Sequence, residues 1–353
     1  MARKNNPGRI YVFRTENPIR SSGGGRLDAP DQPVSVSIIV PIRNGAKFLD
    51  NCVGFLSAQT YDDFEIVFVV DAGSTDDTVK KVKSIVDSRK DSRLILQDKD
   101  LKLGGNRNLG LMDSKGKYIW FLDVDDAPSK DFLKDMVKLI EETGSDLVCC
   151  NFINTDANGT VKEKPGKEYH HLVLDRKEAI DARNRDIFPV STWSKLFRRD
   201  FLVNNDLLFE DTMSEDVIHT YRCVEKCERI CIYDRPLYAY RQHTESLSSQ
   251  DPDARGRAEI QAYCKVDRLF PDDQEVLRRN AIMKIRSSGH MSHRCFRQYA
   301  KSPENRESYE KYLKGTFEGW WHIHLPTLYW IAIRTYVATV YKRKGSNGMY
   351  KKF

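Results

Sequence analysis

Three carboxylates, Asp123, Asp125 and Asp126, follow directly on the apolar run Tyr118-Ile119-Trp120-Phe121-Leu122. Crowded carboxylates repel one another and are costly to desolvate unless a cation or hydrogen-bond donors satisfy them. An oxygen-only donor set suits a hard divalent ion, Mg2+ or Mn2+, able to bridge to a diphosphate. An acidic turn capping the next helix at Asp126 or Ser129 would use the same residues without metal. A run this apolar reads as a strand of a buried sheet, and open α/β sheets keep their ligands at strand carboxyl ends. The rest of the chain decides between the two readings.

The elements that must hold these acids alternate between strand and helix, the mark of a parallel, doubly wound sheet. Val36-Ser37-Ile38-Ile39-Val40-Pro41 is a buried-strand run, and Asn44-Gly45-Ala46 opens a helix expected to run through Leu56. Further strands are expected at 64–70, 93–97, 117–122 and 146–152, with helices at 77–88, 106–112 and 130–143. Ser74 or Thr75 is the expected cap of the 77–88 helix. Beyond Asn154 the pattern changes. Ala157-Asn158-Gly159-Thr160 reads as a hairpin turn, 215–226 as a helix, and 229–240 contains a strand. From Asp251 the chain is helical and highly charged. The expected fold class is α/β, a Rossmann-like, mainly parallel sheet flanked by helices, with a helical C-terminal extension.

The chain has 353 residues, 40% hydrophobic and 31% charged, a composition of globular rather than disordered proteins. Its formal charge of +6 suits anionic ligands, but no nucleic-acid-binding motif accompanies it. The eight cysteines form no metal-ligand pairing of the Cys-x-x-Cys kind. Cys223, Cys227 and Cys231 would stack on one helix face only if the helix reached that far, and buried free thiols are the favoured reading. Residues 1–33 are basic and Gly-rich and read as a flexible tail, in which Tyr11-Val12-Phe13 could add one short strand. They contain no apolar signal-peptide core, and no run of about 20 apolar residues announces a transmembrane helix. A cytoplasmic location is therefore expected. Residues 320–344 combine Trp, Leu, Ile and Tyr bulk with Arg334 and Lys342-Arg343-Lys344. That composition suits a helix lying in a membrane interface, on the inner face of the cell membrane; a helix docked on its own domain is the other reading.

Four segments now line up in order: Ile38-Ile39-Val40-Pro41-Ile42-Arg43-Asn44, Asp71-Ala72-Gly73-Ser74-Thr75-Asp76, Gly105-Asn106-Arg107-Asn108-Leu109-Gly110 and Asp123-Val124-Asp125-Asp126. Together they resemble the family 2 glycosyltransferases, inverting enzymes of GT-A fold, over about residues 34–248. The resemblance implies a GT-A domain at 34–250, with a nucleotide-sugar half at 34–154 and an acceptor half at 155–250. A helical region at 251–353 lies outside it.

It also implies roles. Pro41, Arg43 and Asn44 would touch the base or ribose, and Asp71 would accept from a base imide N–H, usually of uracil. Relatives often carry an acid or amide where this chain has Ala72. Gly104 and Gly105 would let the backbone approach a ligand, and Arg107, with Asn108, would bind phosphate. Asp123 would hold ribose, Asp125 the metal, and Asp126 is a second candidate ligand. After Trp193-Ser194-Lys195-Leu196-Phe197, an expected acceptor segment at Trp193 and Lys195, Asp216 would act as general base, with Glu215 orienting it or binding acceptor. Arg241 or His243 would reach the diphosphate, and His243 is also an acceptor candidate.

The expected reaction is transfer of one sugar from a nucleotide-sugar donor, UDP-linked, to a glycan or lipid-linked glycan in surface-polysaccharide synthesis. The Gln-x-x-Arg-Trp motif of processive synthases is absent. A sugar-nucleotidyltransferase would want a Gly-rich, basic loop after the first strand, which Pro41-Ile42-Arg43-Asn44-Gly45 lacks. An inert nucleotide- or glycan-binding subunit is the alternative from another class.

Overall fold

A central strand, β2 (Val36–Ile42), is buried along its whole length, so its two faces need two separate cores. The computed structural model describes residues 10–13, 34–99, 101–156, 159, 161, 168–242 and 251–336. Within them β2 pairs in parallel with β3 (Phe64–Asp71) on one side and β5 (Tyr118–Phe121) on the other. Beyond β3 lie β4 (Ser92–Gln97) and the edge strand β1 (Ile10–Phe13), both parallel. Beyond β5 the sheet reverses once at β9 (Lys195–Arg198), antiparallel to both β5 and β7 (Leu147–Thr155). The long β10 (Arg229–Arg241) runs parallel to β7, with β6 (Ala127–Pro128) and β8 (His171–Asp175) antiparallel against it. The sheet is thus mainly parallel, as the strand–helix alternation predicts.

Alternate residues of β2 serve opposite layers. Ile38, Val40 and Ile42 pack with helices α1 (Leu49–Ser57), α2 (Thr78–Ser88) and α4 (Phe132–Thr143). Ile39 faces α3 (Leu103–Asp113), α5 (Arg176–Asn184), α6 (Arg199–Asn204) and α7 (Glu215–Lys226). α3 settles unusually close to the sheet because Gly110 has no side chain. A Cβ there would come within 2.3 Å of Ile39 Cγ2 and 3.2 Å of Val69 Cγ2.

Helix α7 is held on both sides. Cys223 and Val224 join the core under the sheet, whereas Val217, Ile218 and Tyr221 pack with Ala262, Tyr263, Val266 and Val276. The latter come from α8 (Pro252–Leu269) and α9 (Gln274–Ser288) of the helical C-terminal region. That region continues through α10 (His293–Ala300), α11 (Pro303–Ser308), α12 (Phe317–His324) and α13 (Pro326–Tyr336).

Several local expectations shift. The first helix starts at Leu49, because Asn44 sits at φ 52° in a turn instead of opening a helix. Neither Ser74 nor Thr75 caps α2; Asp76 Oδ1 accepts the Thr78 N–H at 3.0 Å. α7 ends at Lys226, so Cys223, Cys227 and Cys231 do not share a helix face. Those three cysteines are buried free thiols, and burial pushes Cys227 and Cys231 up to about 12, leaving them protonated. The expected 157–160 hairpin and residues 243–250 and 337–344 fall largely or wholly outside the described residues.

Replacing Gly110 by Val should force α3 off Ile39. Overpacking of this kind costs about 1–3 kcal/mol. Thermal unfolding will read it as a lowered Tm, and an unchanged Tm would mean that α3 has room to move.

Candidate active site

Between β2 and β5 the strand order changes direction, and the carboxyl ends of neighbouring strands open onto one crevice. Asp71, the last residue of β3, is buried. Its Oδ1 accepts the Gly73 N–H at 2.8 Å and its Oδ2 lies 3.3 Å from Arg43 Nη1. The Arg43 side chain is 56% exposed, while Pro41 is buried within β2. Asn44 Oδ1 accepts the Thr75 N–H at 2.7 Å, and the Asn44 N–H donates to Ser74 Oγ at 3.3 Å. These bonds tie the loop after β2 to the loop after β3. Gln97 ends β4 opposite Asp71 in register and is buried; its Nε2 has no hydrogen-bond partner among the described residues. Sequence reading missed it, although its place as the final residue of β4 was a usable signal.

The second half of the crevice is organised around Arg107, whose side chain is 1% exposed. Its Nη2 donates to Asp123 Oδ1 at 3.0 Å, and its Nη1 to Glu215 Oε1 at 2.7 Å and Asp216 Oδ1 at 2.9 Å. The Phe209 ring centroid stands 5.3 Å from the guanidinium carbon. Burial weakens the hold of the guanidinium on its proton, but Asp216, Asp123 and Glu215 more than reverse that and keep it firmly charged. In return, burial and then the Asp216 charge push Glu215 up to about 7, with Arg107 pulling the other way. Asp123 rises to about 6, first from burial, with Asp125 and Asp216 adding and Arg107 opposing. Asp216 is fixed further by Thr192, whose Oγ1 donates to Oδ1 at 2.7 Å and whose N–H donates to Oδ2 at 3.2 Å. Thr192 precedes β9 and carried no signal in the sequence.

Other expected contacts lie elsewhere. Gly104 approaches protein instead of a ligand: a Cβ there would meet the Glu210 carbonyl oxygen at 2.3 Å. Asn108 exchanges two hydrogen bonds with the Phe209 backbone, both at 2.8 Å, so its amide fastens that segment to α3. Lys195 is buried, with Nζ donating to the carbonyls of Pro189 and Ser191, and does not face an acceptor. Trp193 is buried in an aromatic stack, 4.4 Å from the Tyr238 ring and 5.4 Å from that of Tyr240. Asp126 turns inward, its oxygens accepting from Tyr238 Oη at 2.8 Å and the Arg241 N–H at 2.9 Å. The Arg241 guanidinium lies over Phe55 at 5.2 Å. His243 is outside the described residues.

Asp123 and Asp125 offer a hard cation oxygen ligands at this strand end. Asp126 is committed to Tyr238 and Arg241, whereas Asp125 is half-buried and Asp123 keeps a second oxygen beyond the one that meets Arg107. That set fits a divalent ion completed by oxygens of a bound diphosphate. Among the described residues no group of three His, Cys, Asp or Glu side chains is already arranged to hold a metal.

Residues 37–204 match the profile of the family described as Glycosyl transferase family 2. The chain is 28% identical over 218 residues to the uncharacterized glycosyltransferase EpsJ of Bacillus subtilis, covering 60% of this chain and 62% of EpsJ. It therefore spans less than two thirds of that relative's length. It is 27% identical over 248 residues to poly(ribitol-phosphate) β-N-acetylglucosaminyltransferase TarS of Staphylococcus aureus, covering 68% of this chain and 41% of TarS. The crystal structure of TarS 1–349 with UDP-GlcNAc superposes with a TM-score of 0.60 at 20% identity, over 83% of this chain and 92% of that one. The mannosyltransferase PcManGT of Pyrobaculum calidifontis, with GDP-Man and Mn2+, superposes with a TM-score of 0.53 at 17% identity, over 88% of each chain. These likenesses make the fold GT-A-like.

His219, one turn along α7 from Asp216, stacks on Phe209 with ring centroids 3.8 Å apart, its Nε2 3.2 Å from the Leu207 carbonyl oxygen. Burial pushes it down to about 3; the Asp216 charge opposes that, and Lys195 and Arg107 reinforce it. In the unfolded chain a histidine titrates near about 6.5. The stability tied to neutral His219 is thus complete above that pH and is lost as pH falls toward 3, amounting to at most about 5 kcal/mol. In His219→Gln the fall of Tm between pH 6.5 and 4 should be shallower than in the wild type. Parallel curves would clear His219 of the effect.

Proposed function

This chain carries a glycosyl transferase family 2 domain, and from the geometry around Arg107 we propose that it is an inverting, metal-dependent glycosyltransferase. It moves one sugar from a UDP-linked donor to a glycan or lipid-linked glycan acceptor in surface-polysaccharide synthesis. The observation that carries this reading is that Asp123, at a strand end, and the Glu215–Asp216 pair of α7 share one guanidinium. Donor-side and acceptor-side acids therefore stand within one side chain's reach.

Asp71 accepts the imide N–H of the base, with Arg43 and Asn44 beside it. Asp123 holds the ribose. Asp125 and Asp123 would hold Mn2+ or Mg2+, and the ion would offset negative charge on the leaving diphosphate. Asp216 Oδ1 is engaged by Arg107 and Thr192, whereas Oδ2 accepts a single hydrogen bond among the described residues, from the Thr192 N–H, and keeps a lone pair for the acceptor hydroxyl proton. The acceptor oxygen attacks the anomeric carbon, the bond to the diphosphate oxygen breaks on the opposite face, and the configuration inverts. Residues 34–154 serve as the donor half and 155–250 as the acceptor half, with the helices between residues 252 and 336 as their support.

The same reading gives α12 and α13 a place on the inner face of the membrane. α13 docks through buried Tyr329 and through Trp330, whose Nε1–H donates to the Met291 carbonyl at 3.0 Å. Its other face leaves Leu328 52% and Ile331 50% exposed, with Trp320 46% exposed on α12. α13 carries no acidic residue. Among the described residues no helix is long and apolar enough to cross a membrane.

Two substitutions test the chemistry together. Asp216→Asn should lower turnover on the order of 10²–10⁴-fold with donor affinity held, as loss of a general base does. Asp125→Ala should instead abolish manganese-dependent binding of UDP-sugars, read by thermal shift. Manganese-dependent turnover that survives Asp125→Ala would sink the metal assignment, and absence of any donor turnover in the wild type would favour an inert subunit.

Vesicle sedimentation tests the surface. Binding should rise with anionic lipid, since each basic residue near such a surface gains about 1 kcal/mol. Leu328→Asp with Ile331→Asp should abolish it without lowering Tm. Indifference of the wild type to every lipid composition would leave α13 a purely structural helix.

A further inference from the structure

We propose that Arg107 is a positioning residue that locks the general base to the donor-side strand end, and that it is not a phosphate ligand. The inference rests on the role of Asp216 given above and deepens it.

Three observations carry it. First, both terminal nitrogens already meet carboxylates: Nη2 meets Asp123, and Nη1 meets both Glu215 and Asp216, while Nε is buried with no partner among the described residues. A diphosphate would have to compete with these three acids for the guanidinium. Second, the frame behind Arg107 is built to hold it still. Gly110 seats α3 on Ile39, Gly104 lies against the Glu210 backbone, and Asn108 clasps Phe209 from the next position along the helix. Third, the base is gripped from two directions. Arg107 and the Thr192 hydroxyl both donate to Oδ1, at 2.9 and 2.7 Å, and the Thr192 N–H donates to Oδ2 at 3.2 Å. The Asp216 side chain is still 22% exposed, so the carboxylate held in this way remains open to solvent.

A planar fork can span two carboxylate groups at fixed angles, whereas an ammonium is a point charge. Arg107→Lys therefore keeps the charge and loses the geometry. Donor Kd, measured by calorimetry with UDP and manganese, should change less than threefold, while kcat should fall on the order of 10²-fold, because a misaimed base loses most of its effect. Thr192→Val, which leaves Arg107 untouched, should show the same split to a smaller degree. It keeps the test open if Arg107→Lys fails to fold. Combined with Asp216→Asn, Arg107→Lys should cost little more, since residues that act as a unit are not additive.

A donor Kd that weakens as far as kcat falls would make Arg107 a phosphate ligand and overturn the proposal. So would kcat near wild type in both Arg107→Lys and Thr192→Val while Asp216→Asn is crippled; in that case the base assignment stands alone. If Asp216→Asn itself keeps wild-type turnover, the base assignment fails and this inference falls with it.

Discussion

Arg107 sets one guanidinium against carboxylates 16, 108 and 109 positions away in the chain. Such a charge could not stay buried alone, because desolvation costs several kcal/mol per ion. Nor could Glu215, similarly buried, sit beside Asp216 without a cation between them and the strand end. Each side is tolerable only because the other is there. The ionic cluster therefore fixes where α7 begins relative to β5, and the crevice takes its shape from that distance.

Neutral packing makes the cluster possible. Asn108 and Gly104 bring residues 209–210 against α3, and Phe209 closes one flank of the guanidinium. His219 fills the space beneath Phe209 as an uncharged ring, since burial keeps it from taking a proton at neutral pH. On the far side of α7, Val217, Ile218 and Tyr221 rest on α8 and α9. The helical C-terminal region thus bears on the acids without contributing a charge to them.

Much of this was readable in the residues themselves. The runs 36–41, 64–70 and 117–122 became strands because long apolar stretches have little alternative but a sheet covered on both faces. Asp71 and Asp123 stood out as acids ending such strands. What could not be read depended on contacts distant in sequence. Nothing local to Arg107 points to residues 215–216, so a phosphate contact was the natural expectation. Asp125 and Asp126 look alike in the chain, yet Tyr238 and the Arg241 backbone turn only the second one inward. Lys195 and Trp193 resemble exposed functional residues until β9 and the segment just before it carry them into the core. Asn44 was expected to start a helix, but its side chain found Thr75 first, and a positive φ followed.

The reversed strand β9 has a consequence of its own. In a parallel strand the crevice is served by whatever follows the last residue, but β9 runs the other way between β5 and β7. Its entrance, not its exit, lies at the crevice. The segment leading into it, near Thr192, is thus anchored downstream by a strand and upstream by α5, with the Trp193 carbonyl held by Trp120 Nε1–H at 2.9 Å. Lys195 Nζ holds the carbonyls of Pro189 and Ser191, and Thr220 Oγ1 donates to that of Val190 at 2.7 Å, so the lead-in is pinned all the way to Thr192. A change of length there would reach the Asp216 carboxylate through Thr192, which makes this short run part of the frame of the acids although it belongs to no helix or strand.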